Sequence, residues 1–354
     1  MKLCMIGTGY VGLVSGVCFS DVGNIVYCVD KDKKKIEELN KGNVPIYEPG
    51  LEEILKKNYK QNRLKFTTDL KKAVSSSDII FICVGTPTKK NSNSADLKYV
   101  FSVAKELKKI IKSYKIVITK STVPVTTGDK IENILKNLKK KKLVDIVSNP
   151  EFLREGEAIR DFVYPDRVII GTDSNKANKI LKSLYMPIIK KSSRYFNTSR
   201  RGAELIKYAS NAFLATKISF INEIANLCEK TGIDVKDISI GMGSDERIGD
   251  RFLRAGPAYG GSCFPKDTRA LIDTGKKFNT DLSRVKTVVS SNNKRRLLSI
   301  KRVEKILNYK LLNKTITFLG VTFKPNTDDM REASSIPMIE YFNKKKSKIR
   351  YFDP

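Results

Sequence analysis

The chain has 354 residues, enough for two or three domains with cores of their own, and its 40% hydrophobic content is that of a globular protein. Its net charge of +29 raises the prospect of nucleic acid as a partner, but the lysines are spread over most helical stretches (Lys31 to Lys35, Lys139 to Lys142, Lys344 to Lys346) and no nucleic-acid-binding motif accompanies them. A basic, solvated surface that attracts anionic substrates is expected, with no specific nucleic-acid partner. The absence of histidine excludes an imidazole as base, triad member or metal ligand, and leaves proton chemistry to carboxylates, lysines and thiols.

No stretch approaches the ~20 uncharged apolar residues of a membrane span, and Met1 to Ile6 runs into a strand rather than a signal peptide. A cytoplasmic protein without membrane association is expected. The six cysteines, Cys4, Cys18, Cys28, Cys83, Cys228 and Cys263, have neither metal-ligand spacing nor a disulfide framework, so reduced thiols and no metal are expected.

In chain order, an apolar strand at Lys2 to Ile6 leads into Gly7-Thr-Gly-Tyr-Val-Gly12, a helical stretch from Leu13 to Val22, and a second strand, Ile25 to Val29, ending in Asp30. This is a dinucleotide fingerprint in its proper setting. Gly7 makes the tight turn, Gly9 lets a pyrophosphate approach the helix N-terminus, and Gly12 lets helix pack on strand. Asp30 suits ribose hydroxyls and repels a 2′-phosphate, which points to NAD. Strands at Asp78 to Val84 and Lys115 to Lys120 follow, ending in Gly85-Thr-Pro87 and Ser121-Thr-Val-Pro124. The alternation predicts a parallel sheet with ligands at the strands' carboxyl ends. Taken alone, each hydroxyl-bearing end is equally well ordinary turn chemistry. A strand at Val144 to Val147 runs into Asn149-Pro-Glu-Phe-Leu-Arg-Glu-Gly156, where Glu151 and Glu155 share a face if a helix begins there, as a solvated helix start or as a catalytic pair. With a further strand at Asp166 to Gly171, the first domain should end near Phe196.

Ser199 to Thr231 reads as one long helix capped by Gly232, with an apolar surface wide enough to be buried between domains or subunits. Lys207 and Asn211, four apart, form a polar spot that faces either a ligand or solvent. Gly241 to Phe264 is a glycine-rich cationic loop leading into Tyr259-Gly-Gly-Ser-Cys-Phe-Pro-Lys-Asp267. There the glycines allow close approach of a backbone or ligand, Pro265 stiffens the turn, Lys266 favours a thiolate at Cys263, and Asp267 handles a proton. The competing reading is a surface turn with an inert cysteine. A helix near Asp281 to Leu307 precedes a strand at Lys314 to Gly320, a polar loop, a helix at Ile336 to Phe342 and a strand at Lys348 to Phe352. This is the start of a second nucleotide-type unit, too few strands for an independent sheet, and truncation at Pro354 is expected.

Together these motifs, with Pro45-Ile-Tyr-Glu-Pro-Gly50, Lys207 to Phe213 and Phe323 to Ser334, resemble the UDP-glucose/GDP-mannose dehydrogenase family along the whole chain. Arg247-Ile-Gly249 and the Tyr259 to Asp267 motif look more like the UDP-glucose branch. Thr126 and Ala258 stand where the family often has glycine. The resemblance implies an α/β fold in three parts: a Rossmann-type NAD-binding domain (1–196), a central helical dimerisation and catalytic domain with a long connecting helix (197–308), and the start of a truncated nucleotide-sugar-binding domain (309–354).

It also implies two NAD-dependent hydride transfers from the sugar C6, converting UDP-glucose to UDP-glucuronate for polysaccharide biosynthesis. Cys263 is then the nucleophile that forms a thiohemiacetal and a thioester. A four-electron oxidation needs its aldehyde tethered between the two steps, and a thiol can do this. Lys207 and Asp267 would assist proton removal and stabilise oxyanions, Asn211 would donate, Thr122 would position a water and Glu151 would activate it. Cofactor contacts carried over are Gly7, Gly9, Tyr10, Val11, Gly12, Asp30, Lys35, Thr86, Pro87, Ser121, Thr122, Glu155, Lys266 and Arg331. Substrate contacts are Glu151, Phe152, Leu153, Lys207, Asn211, Arg247, Phe252, Tyr259, Gly260 and Lys324, with Arg247 acting across a homodimer or higher homo-oligomer. Alternatives are a sibling oxidising GDP-mannose or a UDP-N-acetylated hexosamine, and a non-catalytic nucleotide-sugar-binding remnant.

Overall fold

Strands whose two faces are both apolar must be covered on both sides, and the first half of the chain is built this way. A computed structural model describes residues 1–90, 92–189 and 193–354. Its first elements are β1 (Lys2–Ile6), α1 (Tyr10–Asp21), β2 (Ile25–Val29), α2 (Lys33–Lys41), α3 (Leu51–Lys60), β3 (Leu64–Thr67), α4 (Leu70–Ser75) and β4 (Ile79–Ile82). Then come α5 (Lys98–Ile110), β5 (Lys115–Thr119), α6 (Thr127–Ile134), α7 (Lys136–Lys140), β6 (Val144–Ser148), α8 (Ala158–Val163), β7 (Arg167–Gly171), α9 (Asn175–Tyr185) and β8 (Arg194–Thr198). The eight strands form one sheet in the order β3-β2-β1-β4-β5-β6-β7-β8. Alternate residues feed opposite cores: Leu3 and Met5 pack with Phe19 and Phe81 on one face, Cys4 and Ile6 with Ile80, Ile82 and Val117 on the other. Helix α1 is buried from Gly12 to Ser20, so it has no polar face. Side chains of Asp32, Asp69 and Ser174 cap α2, α4 and α9.

Two expectations change here. The sheet is not wholly parallel, because β6 pairs antiparallel with β7 through Ser148 and Gly171. The connection after β6 runs as loop to Glu157, and the six-residue α8, about 9 Å long, does not carry the chain back to the start of the sheet. No helix begins at Asn149 either, so Glu151 and Glu155 do not share a helical face.

The remaining elements are α10 (Arg200–Thr231), α11 (Val235–Gly243), α12 (Phe264–Lys277), α13 (Ser283–Ile306), β9 (Thr315–Leu319), α14 (Ser335–Lys344) and β10 (Lys348–Phe352). The chain divides into two units, Met1–Lys207 and Tyr208–Pro354. Gly232, at φ 72°, ends α10 as expected. In the second unit β9 and β10 pair in parallel, and Ile300, Leu311, Phe318, Val321 and Phe342 form a core beneath them. Among the described residues no helix is long and apolar enough to cross a membrane.

Candidate active site

The first unit places Gly7-Thr-Gly-Tyr-Val-Gly12 between β1 and α1, where strand order turns from β2-β1 to β1-β4, the switch point at which doubly wound sheets bind ligands. A Cβ on Gly12 would lie 1.9 Å from the Gly7 carbonyl oxygen, whereas one on Gly9 would meet nothing within 4 Å. Gly12 thus serves packing, and Gly9 leaves room for a pyrophosphate. Asp30 Oδ2 accepts from the Thr8 amide at 3.0 Å and hydroxyl at 2.9 Å, with Lys35 Nζ 3.6 Å away. Burial pushes the Asp30 carboxyl up, but the Thr8 and Asp32 donors and Lys35 outweigh it and hold it below the usual range. An anionic Asp30 beside an open glycine turn fits the adenosine end of NAD. The Tyr10 hydroxyl donates to Glu48, which also accepts from the Gly156 amide at 2.7 Å and the Ala158 amide at 2.8 Å. Val11 follows Tyr10 in the first turn of α1.

Beyond β4 and β5, the Thr86 hydroxyl, just before Pro87, donates to the Thr122 carbonyl at 2.8 Å, and Ser121 Oγ donates to the Val84 carbonyl at 2.7 Å. These hydroxyls therefore pin two strand-end loops together. Thr126 ends the second loop at φ 78°, a left-handed conformation that is uncommon for a β-branched residue.

The Glu151 carboxylate is buried with Lys207 of α10, Nζ to Oε1 at 3.2 Å, while Oε2 accepts from the Leu153 amide at 2.6 Å. The Phe152 ring has the Arg167 guanidinium 4.1 Å and the Lys207 ammonium 5.1 Å from its centre. Arg154, paired with Asp161, anchors the loop, and Glu155 lies close enough to Tyr10 to act on it electrostatically. Lys120 is buried beside this pair, Nζ 3.3 Å from Asn149 Oδ1. Burial pulls its amine below the usual lysine range, Cys83 and Glu151 oppose that, and Lys207 adds to it.

In the second unit Cys263 sits at the start of α12, and Phe264-Pro-Lys-Asp267 is the helix's first turn, not a free turn. Pro265 suits that place because its missing amide hydrogen would be unpaired there. The helix end turns its partial positive charge towards a developing thiolate. Asp267 is fully buried, with Oδ1 2.5 Å from Lys266 Nζ and Oδ2 2.6 Å from Asn211 Nδ2. Cys263 is half-exposed, its Sγ 3.5 Å from Ser262 Oγ. Burial pushes the thiols of Cys4, Cys18, Cys28 and Cys83 up, those of Cys18 and Cys83 to about 12.

The glycines before Cys263 let other parts of the chain approach closely. A Cβ on Gly260 would come within 2.5 Å of the Glu332 carbonyl oxygen, and one on Gly261, at φ 78°, within 2.7 Å of the Phe323 ring. The Gly261 amide also donates to the Arg331 carbonyl at 2.8 Å, and Tyr259 is held on both sides of its peptide by Asn292 of α13. Glu332 pairs with Arg269 and Arg296. Of the expected substrate contacts, Phe252 packs on Phe264 at φ 67°, Lys324 lies over Phe323, and Arg247 pairs with Asp245 while fully exposed. The Arg331 side chain forks onto Asp329.

Glu48, Lys120, Glu204 and Asn292 are buried polar groups to which the sequence motifs assign no role. Lys120 could have been noticed as a lysine closing an apolar strand, and Glu204 as a carboxylate one turn before Lys207.

A glycine turn with an acid at the end of β2, on a doubly wound sheet, defines a dinucleotide-binding protein of the Rossmann type, suited to NAD. Three family domains match in order: "UDP-glucose/GDP-mannose dehydrogenase family, NAD binding domain" over residues 1–189, the central domain over 201–294 and the UDP binding domain over 317–354. A UDP-glucose 6-dehydrogenase of Rhizobium meliloti (strain 1021) is 49% identical, covering 100% of this chain and 82% of its own. The structure of a UDP-glucose dehydrogenase from Pyrobaculum islandicum superposes with TM-score 0.94 at 36% identity, over 99% of this chain and 81% of that one. A GDP-mannose dehydrogenase structure from Pseudomonas aeruginosa does so with TM-score 0.68 at 34% identity, over 100% and 81%. The chain belongs to the UDP-glucose/GDP-mannose dehydrogenase family, and is an NAD-dependent nucleotide-sugar dehydrogenase.

Proposed function

We propose that the chain oxidises UDP-glucose to UDP-glucuronate in two steps on one tethered sugar. The observation that carries this reading is Cys263 at the α12 N-terminus, one turn before a buried Asp267 held by Asn211 and Lys266. When bound, NAD supplies the hydride acceptor, one equivalent for each two-electron oxidation. Asp267 receives the C6 hydroxyl proton as hydride leaves C6, and the Lys207 ammonium stabilises the charge developing on the oxygen, giving the aldehyde. The Cys263 sulfur then bonds to C6 and the carbonyl oxygen takes a proton, forming the thiohemiacetal. Loss of a second hydride from C6 and of the hydroxyl proton leaves the thioester. Glu151 takes a proton from water held by Thr122 as the water adds to C6, the C–S bond breaks, and the thiolate recovers a proton beside the free carboxylate.

In this reading the parts are a cofactor domain (1–196), a central catalytic domain (197–308) and the start of a nucleotide-sugar domain (309–354), in a cytoplasmic homo-oligomer. Exposed Phe213, Phe220 and Leu227 on α10 favour a second copy as the covering partner, with Arg247 reaching its substrate. Stoichiometry is the test. UDP-glucose with excess NAD should yield two NADH per sugar, and one NADH per sugar would overturn the mechanism. If GDP-mannose or a UDP-N-acetylated hexosamine is turned over instead, the mechanism stands and the substrate assignment falls. Tight NAD binding without turnover of any nucleotide sugar identifies a binding remnant.

A further inference from the structure

One buried carboxylate outside the proposed catalytic groups touches the segments on which they depend. Glu204 lies on α10, three residues before Lys207, and its side chain is buried. Its Oε1 accepts from the Gly128 amide at 2.7 Å and from Ser148 Oγ at 3.1 Å, and the Thr126 amide also favours its charged form. Gly128 belongs to the first turn of α6, directly after the loop that carries Thr122. Ser148 closes β6, three residues before Glu151. Lys207 is itself bonded to Glu151.

Two features make this a built contact rather than chance proximity. A Cβ on Gly128 would lie 3.0 Å from Glu204 Oε1, 3.2 Å from Ser148 Oγ and 3.3 Å from Arg200 Cδ, so α6 comes this near to α10 because residue 128 is glycine. The turn before it depends on Thr126 holding a left-handed backbone, a conformation that persists only when its surroundings enforce it. The Gly128 amide is an orphan donor of the α6 N-terminus, and Glu204 satisfies it from another helix. The charged groups acting on it are Asp129 of α6 and Arg201 of α10, and these pair with each other at 2.6 Å.

We propose that Glu204 is a positioning residue for the reaction: its carboxylate clasps the Thr122 loop, the strand end leading to Glu151, and the α10 turn bearing Lys207 into one arrangement. It touches no substrate. Its effect passes through those three residues, so the inference rests on the roles given to them above. The dinucleotide turn lies outside the clasp and should not feel its loss.

The test is steady-state kinetics on Glu204→Ala, Glu204→Gln and Ser148→Ala, with amide hydrogen exchange on each. Glu204→Ala should lower kcat by about 30-fold and leave the KM for NAD within about twofold, because only the transition-state arrangement is disturbed. Glu204→Gln keeps the accepting oxygen and should recover kcat to within about threefold of wild type, and Ser148→Ala should cost about threefold. Exchange should accelerate at Gly128 and along the first turn of α6 in the alanine variant and not in the glutamine one. Equal loss in kcat and in the KM for NAD, or no rescue by glutamine, would overturn the proposal. If Glu204→Ala does not fold, Ser148→Ala and Glu204→Gln decide it by the same split. If the wild type oxidises no nucleotide sugar, the functional reading fails. The exchange data then judge the clasp alone, and unchanged protection at Gly128 would sink it.

Discussion

The groups proposed to handle protons and the group proposed to form bonds are built in opposite ways. Glu151 and Lys207 are both buried, bonded to each other, and held through Leu153, Phe152 and the surrounding loop. Cys263 is half-exposed at a helix end with a long contact to Ser262, although its neighbour Asp267 is fully buried. A nucleophile must reach a carbon that arrives from solvent, whereas a buried ion pair holds its geometry only while both partners remain. The first region should therefore couple chemistry to stability, and the second should separate them.

The largest expected effect tests that separation. Cys263→Ser should cut acid formation by a factor on the order of 10⁴, with NADH per sugar falling below two. Its Tm should move by no more than about 2 °C in a thermal melt, since the site is half-exposed and the change small. A large drop in Tm would erase the contrast. Glu151→Ala should lose hydrolysis and also about 3–5 kcal/mol of stability in urea unfolding, because it leaves the Lys207 ammonium buried without its carboxylate. A variant as stable as wild type would show that the pair is not the buried unit described here.

A third prediction concerns pH. Burial, aided by Asp129 and opposed by the Gly128, Ser148 and Thr126 donors, raises the Glu204 carboxyl from 4.5 to about 7. The folded state therefore binds a proton more tightly than the unfolded chain does. Glu204 contributes most at acid pH, and its contribution declines as pH rises from about 4.5 to about 7, by on the order of 3 kcal/mol at most. Urea midpoints across that range should show this slope in the wild type and a flatter one in Glu204→Gln. The smallest effect is expected from Thr126→Gly. Relief of the left-handed backbone is partly offset by glycine's extra freedom when unfolded, leaving a gain below about 1 kcal/mol.

Much of this was legible in the residues alone. Continuous apolar strands, the glycine spacing after β1, Asp30, the long helix closed by Gly232, and the final strand-helix-strand all follow from local rules, and the structure has them where expected. The failures are equally specific. Glu151 and Glu155 have helical spacing, yet Asn149 to Glu157 is loop, because Glu48, Asp161 and Lys207 hold it from elsewhere in the chain. Gly260 and Gly261 left open whether a backbone or a ligand approaches them, and the structure brings the Glu332 carbonyl and the Phe323 ring there.

By itself the sequence determined the NAD-binding fold and, through motifs spread along the whole chain, the family, since each motif is made of residues within about twenty positions of one another. Only the tertiary structure decided which polar groups meet. Glu151 reaches Lys207 and Asn211 reaches Asp267 across 56 residues each, and Gly128 reaches Glu204 across 76. No local periodicity encodes such pairings, because they are set by which strands pair and which helix ends the sheet brings together.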